Sequence, residues 1–151
     1  MEKIRKAYFI GIGGIGMSAL AQLMQTQGVS VSGSDREASP VTELLEAKHI
    51  DVAIGQRPEN IPADADVVIY SEAVWDDNPE RVRVKELGIR EITYFEALGE
   101  VSREPYSAKG YEGRRKTIAV AGTHGKTTTT GMTAKILADG GASPTAVVGS
   151  I

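Results

Sequence analysis

Two stretches of the chain, FIGIGGIGMSAL at residues 9–20 and IAVAGTHGKTTTTGM at 118–132, each join an apolar run to a glycine turn and then to a helix-forming sequence. An apolar run of that length reads as a strand buried on both faces, and a helix directly after it demands a crossover connection. The succession is carried on between them. Residues 6–10 read as a strand, followed by Ile15, Ala19, Leu20, Leu23 and Met24 at helical spacing on one face and a stop at Gly28. Residues 29–35 read as a second strand. Ser39-Pro40 opens a helix with serine as cap and proline in the first turn, and Leu44 and Leu45 supply its buried side. Strands follow at 51–55 and 66–71, a helix from Asn78-Pro79 to near Gly88, a strand within 89–94 and a helix over 95–103. Strands alternating with helices predict an α/β fold with a parallel sheet and right-handed crossovers.

The pattern stops at 102–116, which is polar, holds Pro105, Gly110 and Gly113, and has no periodicity. A buried strand is expected again at 117–122, then a helix with Met132, Ile136 and Leu137 on one side, then a strand in PTAVVGS, 144–150. One strand, one helix and one strand are too little to enclose a core. The organisation expected is thus a domain over 1–104, a linker over 105–116, and the truncated opening of a second α/β domain over 117–151.

Composition narrows the function. The 17 basic and 20 acidic side chains leave a net charge of −3, which argues against a general nucleic-acid or membrane-surface role. With no cysteine there is no disulfide or thiolate metal site, and two histidines are too few for a histidine-rich zinc site. The N-terminus lacks the apolar core of a signal peptide, and no apolar run reaches the roughly 20 residues of a membrane span. The cytoplasm is the expected location.

Gly11, Gly13 and Gly16 form G-x-G-x-x-G between a strand and a helix. Glycines permit the tight turn and a close approach of backbone to a diphosphate, which the N–H groups and positive end of the helix then hold. Asp35 ends the second strand nineteen residues after Gly16, where a dinucleotide fold binds a ribose hydroxyl. The motif alone fits NAD or another nucleotide diphosphate, and a glycine turn serving only helix packing is the plainer alternative.

Gly122-Thr123-His124-Gly125-Lys126-Thr127 departs from G-x-x-x-x-G-K-[ST] because Val120 stands where the first glycine belongs. Its working end is intact. Backbone N–H groups from 123 to 127 can wrap phosphate oxygens, Lys126 can reach the β- and γ-phosphates, and the Thr127 hydroxyl can ligate Mg²⁺. Two cradles of different design imply two ligands. A dehydrogenase needs only the first and a simple ATPase only the second. A ligase that spends ATP on a nucleotide-linked substrate needs both.

The order FIGIGGIGMSALA, VSGSD, VVIYSEAV, DNPE and VAGTHGKTTTT resembles the Mur ligases of peptidoglycan synthesis, over nearly the whole chain. The resemblance implies a Rossmann-like parallel sheet that binds a UDP-sugar, followed by the start of a P-loop ATP-binding domain. It implies an ATP- and Mg²⁺-dependent carboxylate–amine ligase, with UDP-N-acetylmuramate and L-alanine as substrates and an acyl phosphate between them. It places Gly11, Gly13, Gly14, Ile15, Gly16, Ser34, Asp35 and Ser71 on the UDP-sugar. It places Gly122, Thr123, His124, Gly125, Lys126, Thr127 and Thr128 on ATP, with Lys126 and Thr127 catalytic and Thr127 on Mg²⁺. The alternatives are a recycling ligase that attaches a tripeptide to the same UDP-sugar, an NAD-binding oxidoreductase or sensor, and a non-enzymatic nucleotide-binding module. Of the remaining candidates, His49 reads as a solvated helix end, Trp75 as a surface anchor for its loop, and Met17 and Met24 as core.

Overall fold

The computed structural model describes residues 4–103 and 116–148, together with the backbone of 106–108 and 111–113. The domain boundary expected at 104–105 and the end of the last expected strand, 149–150, lie outside the described residues. The chain forms two units, 1–101 and 102–151.

In the first unit, β1 (Lys6–Ile10), β2 (Ser30–Asp35), β3 (Asp51–Ile54), β4 (Val67–Tyr70) and β5 (Glu91–Thr93) make one sheet in the order β3-β2-β1-β4-β5. Every neighbouring pair is parallel. The connections carry α1 (Ile15–Thr26), α2 (Pro40–Ala47), a 3-10 turn at Pro58–Asn60 and α3 (Pro79–Leu87), and α4 (Tyr94–Arg103) follows β5. The local chemistry sets these starts. Ser39 caps α2 by accepting from the Thr42 N–H, while the Thr42 hydroxyl accepts from the Ser39 N–H at 2.8 Å. Asn78 caps α3 by accepting from the N–H groups of Glu80 and Arg81, and Pro79 occupies the first turn.

The central strand β1 is buried on both faces. Ala7 and Phe9 turn to one side, where Met17, Leu20, Ala21 and Met24 of α1 pack with Ala97 and Val101 of α4. Tyr8 and Ile10 turn to the other, with Val68 of β4 and Val84 of α3. Each fully buried large apolar side chain contributes about 1.5–3 kcal/mol, so β1 and the two helices that sandwich it form the stable centre.

Two faces are rotated from the expected ones. In α1 the buried side is Met17, Leu20, Ala21 and Met24, and Ile15 is exposed. Ile15 opens the helix on the side away from the one that carries Met17 into the core. In α2 Leu45 is buried but its neighbour Leu44 is exposed, because an eight-residue helix offers a single narrow stripe to the sheet. His49 is exposed just past the end of α2, and Met17 and Met24 are core, as expected.

The second unit differs more from expectation. Residues 106–108 (β6) and 111–113 (β7) pair as a short antiparallel hairpin inside the stretch read as a linker. Residues 117–122 form no strand, and Ile118 is exposed. The described part of the last expected strand, 144–148, is not a strand either. The helix α5 (Lys126–Asp139) is present but buries no residue, and Met132, Ile136 and Leu137 are all exposed. Apolar runs become strands only with neighbours to pair with, and the described strands of this unit, β6 and β7, pair with each other.

Two glycines should respond in opposite directions to the same change. A Cβ on Gly33 would lie 2.4 Å from the Phe9 carbonyl oxygen and 2.8 Å from Ile12 Cδ1. Gly33→Ala therefore has to push β1 and should cost about 1–3 kcal/mol in urea denaturation. Gly99, inside α4, has nothing within 4 Å of that position. Gly99→Ala should stabilise by about 0.5–1 kcal/mol through helix propensity.

Candidate functional site

The strand order reverses between β1 and β4, and a crevice opens at their carboxyl ends, where open α/β sheets bind ligands. Its first wall is the glycine turn. Gly11 and Ile12 both donate their N–H groups to the Ser34 carbonyl, at 2.8 and 2.9 Å, so the turn hangs from the end of β2. Gly11 has φ +83, a conformation that glycine adopts without strain. The Gly13 N–H donates to Asp35 Oδ2 at 2.8 Å, and the Arg36 N–H donates to Asp35 Oδ1 at 2.8 Å. A Cβ on Gly13 would sit 2.7 Å from Asp35 Oδ2, so glycine is what lets the carboxylate close on the turn. Gly14 caps α1 without a side-chain hydrogen bond. The N–H groups of Ile15, Gly16 and Met17 in the first turn point out of the helix start, as the leading amides of any helix do.

The second wall follows β4. The Ser71 N–H donates to the Ile10 carbonyl at 3.1 Å, which sets this loop beside the glycine turn. Arg81, almost wholly buried, then braces the loop. It donates from Nη1 to the Val74 carbonyl at 3.1 Å and pairs with Asp76 at 2.8 Å and Glu91 at 2.5 Å, with its guanidinium 3.7 Å over the Tyr70 ring. Asn78 Nδ2 donates to Gln56 Oε1 at 2.7 Å and links the loop to the one after β3. Between these walls lies a cleft of about 490 Å³, lined by Gly11, Gly13, Gly14, Asp35, Arg36, Gln56, Ser71 and residues 73–75 and 77–79.

Of the eight residues assigned to the first ligand, the cleft brings together Gly11, Gly13, Gly14, Asp35 and Ser71. Ile15 and Gly16 are at the head of α1, outside the lining, and a Cβ on Gly16 would lie 2.9 Å from the Tyr94 ring. The third glycine of the motif thus makes room for Tyr94. Ser34 is fully buried and points away from the cleft, its hydroxyl donating to Glu80 Oε2 at 2.5 Å. Its backbone carbonyl, not its side chain, shapes the turn. Trp75 lines the cleft and is 80% exposed.

The residue that sequence reasoning missed is Glu80. An acidic residue in a first helical turn ordinarily faces solvent and complements the helix dipole. Here it is completely buried. Glu80 Oε1 accepts from Asn60 Nδ2 at 2.6 Å, from the Arg57 N–H at 3.2 Å and from the Tyr8 hydroxyl at 3.3 Å, and Oε2 accepts from Ser34. Burial pushes its carboxyl above the ordinary value, opposed by the hydrogen bonds from Ser34, Asn60, Arg57 and Tyr8. No local signal reveals this, because every partner comes from a distant segment. Gln56 and Asn78, paired across 22 positions, were missed for the same reason.

The second loop is described by itself. Gly125 has φ +73 and precedes α5. Lys126 Nζ arches back and donates to the Gly122 carbonyl at 2.7 Å and the Thr123 carbonyl at 3.4 Å. That places an ammonium over the turn, next to the leading amides of α5, and a phosphate chain fits such a donor set. His124, Thr127 and Thr128 are exposed. Among the described residues no three His, Cys, Asp or Glu side chains cluster as metal ligands.

Comparisons with known proteins bear on this pair of loops. Residues 6–106 match the family model described as Mur ligase family, catalytic domain. The UDP-N-acetylmuramate–L-alanine ligase of Geotalea uraniireducens is 48% identical over 97% of this chain and 30% of its own length. The enzyme of that name from Aquifex aeolicus is 46% identical over 98% of this chain and 30% of its own length. The chain therefore spans about a third of the length of these curated relatives. Among solved structures, UDP-N-acetylmuramate–alanine ligase from Thermotoga maritima superposes with a TM-score of 0.72 and 36% identity, over 88% of this chain and 29% of that one. The UDP-N-acetylmuramate:L-alanyl-γ-D-glutamyl-meso-diaminopimelate ligase of Neisseria gives 0.84 and 30%, over 99% of this chain and 44% of that one.

The pH dependence of stability should expose Glu80. A carboxyl held above its ordinary value of 4.5 binds its proton more tightly in the folded state than in the unfolded state. That contribution is complete below 4.5 and is lost as pH rises through the raised value. Melting temperatures of the wild type and Glu80→Gln should thus diverge between pH 4 and pH 8, with the glutamine variant gaining relative to the wild type. A pH-independent difference would contradict the burial of an ionisable carboxyl there.

Proposed function

The chain belongs to the Mur ligase family, and we propose that it supplies the UDP-sugar site and the phosphate loop of an ATP-dependent ligase. That ligase joins L-alanine to the carboxylate of UDP-N-acetylmuramate. The observation that carries this reading is the pairing of a diphosphate-sized cleft at the β1–β4 switch point with 46–48% identity to enzymes of that name. A second reading, the tripeptide-attaching ligase on the same UDP-sugar, is supported by the TM-score of 0.84 to the Neisseria enzyme. The lower identity of 30% to that protein favours the first.

In this reading Gly11, Gly13 and Gly14 let the backbone approach the diphosphate, which the leading amides of α1 hold with Ile15 and Gly16 in the first turn. Asp35 spends one lone pair of each oxygen on the Gly13 and Arg36 N–H groups and keeps others for a ribose hydroxyl. Ser71 lines the same cleft, its Oγ accepting from the Ala73 N–H at 3.4 Å. On the second loop, residues 122–128 wrap the ATP phosphates, and Lys126 leaves the Gly122 carbonyl to meet the γ-phosphate. Thr127 would hold Mg²⁺, which when bound offsets the charge gathering on the transferred phosphoryl group.

The chemistry needs both loops. A carboxylate is a poor electrophile, because its leaving oxygen would depart with a full charge. Attack of a carboxylate oxygen on the γ-phosphorus breaks the β–γ bridge, releases ADP and leaves an acyl phosphate. The uncharged amine of alanine then attacks the acyl carbon, phosphate departs, and the amine proton passes to a base. The substrates are small molecules, and no nucleic acid or membrane takes part. The cytoplasm, where nucleotide sugars and ATP are found, is the place for such a reaction. No helix among the described residues is long and apolar enough to cross a membrane.

Three measurements test the reading. UDP-N-acetylmuramate should raise the melting temperature of the chain more than NAD does at equal concentration. A larger shift with NAD would transfer the first loop to a dinucleotide. Gly14 is exposed at an ordinary φ of −60°, with only normal van der Waals contacts around a Cβ. Gly14→Asp should therefore fold normally while its carboxylate repels the diphosphate, weakening UDP affinity by about tenfold or more. Lys126→Ala should leave UDP-sugar affinity within about twofold, since the two loops hold different ligands. A parallel loss would mean that they share one.

A further inference from the structure

Glu80 serves no step of the proposed chemistry, yet it is a fully buried carboxylate whose four hydrogen-bond partners are all neutral. Burying a carboxylate is costly, and an apolar side chain of similar size would support the core as well or better. The placement of its partners supplies a reason for it. Ser34 is the residue whose carbonyl carries the Gly11 and Ile12 N–H groups. Arg57 and Asn60 follow Gln56, which lines the cleft, and Asn60 Nδ2 also donates to the Gly55 carbonyl at 2.8 Å. Glu80 itself follows Asn78 and Pro79 of the opposite wall. One carboxylate is thus bonded to Ser34 and to the loop after β3, lies next to Pro79 of the opposite wall, and reaches the glycine turn through Ser34.

We propose that Glu80 is a positioning residue for the nucleotide-sugar site: by holding the Ser34 hydroxyl, the Arg57 N–H and the Asn60 amide at once, it sets the glycine turn and the loops after β3 and β4 at the separation a diphosphate needs. The inference rests on the reading of the cleft as a nucleotide-sugar site for its ligand, but not for its geometry. A glutamine can serve in its place. Its oxygen can stand at the Oε1 position facing Asn60, Arg57 and Tyr8, and its amide can donate to the Ser34 hydroxyl. An alanine can do neither, and it leaves the donors orphaned.

The test uses the chain as it stands, with Glu80→Ala, Glu80→Gln and Ser34→Ala. Ser34→Ala removes one link without opening a large cavity, leaving Glu80 Oε2 without that donor, and keeps the proposal falsifiable should Glu80→Ala fail to fold. The first readout needs no ligand. Amide exchange at Gly11 and Ile12 should accelerate about tenfold or more in Ser34→Ala and Glu80→Ala, relative to amides of β4 and β5, and return to the wild-type rate in Glu80→Gln. The second is UDP affinity by calorimetry, supported by emission of the sole tryptophan, Trp75, on the cleft rim. It should weaken about tenfold in the same two variants and recover in Glu80→Gln. Exchange at Gly11 and Ile12 that rises no more than elsewhere, or UDP affinity unchanged in folded Ser34→Ala and Glu80→Ala, would overturn the proposal and leave Glu80 a support of the fold alone. Wild-type protein that fails to bind UDP, with the local exchange effect intact, would overturn the ligand reading and uphold the positioning of the turn.

Discussion

Ser34 is where the carboxyl edge of the sheet is tied together. Its carbonyl accepts two N–H groups from the glycine turn, and its hydroxyl donates to the buried Glu80. The turn cannot move without breaking bonds to β2, and β2 cannot shift without disturbing a carboxylate bonded to β1 and to the loop after β3. The net worth of each hydrogen bond is about 1 kcal/mol, but the cost of leaving any of these buried groups unmatched is greater. Rigidity of this kind suits a site that must hold a charged diphosphate without rearranging.

The same economy explains the rest of the cleft. A parallel sheet has both faces covered, so the ligand has only the strand ends to approach. The reversal between β1 and β4 sends α1 and α3 to opposite faces and leaves a gap at the edge between them. Arg81 keeps that gap from closing, because it draws the loop after β4 toward α3 and β5. The second loop has the lysine and the glycines of a phosphate cradle but buries nothing. Preorganisation of such a loop comes from the sheet beneath it, and the described residues of its unit contain no such sheet.

Much of this could be read directly. The strands over 6–10, 30–35, 51–54 and 67–70, the caps at Ser39 and Asn78 and the glycine turn all follow from local rules, since each depends on residues within a few positions. Helix faces were less legible: Ile15 and Leu44 are apolar at helical spacing but exposed, because a short helix turns only one narrow stripe to the sheet. Residues 117–122 look like a buried strand by composition and are exposed apart from the half-buried Val120, since burial is a property of neighbours. Ser34 was placed on the ligand, although its side chain lies in the core. Glu80 was invisible because its partners lie 20 to 72 positions away.

The most direct test of the central claim, that the crevice at the β1–β4 switch point holds the nucleotide sugar, is an amide chemical-shift titration of the chain with UDP-N-acetylmuramate. Saturable shifts should concentrate at residues 11–17, 35–36 and 71–75, with residues 122–128 unmoved. Shifts centred on 122–128, or none at the glycine turn at millimolar ligand, would contradict it.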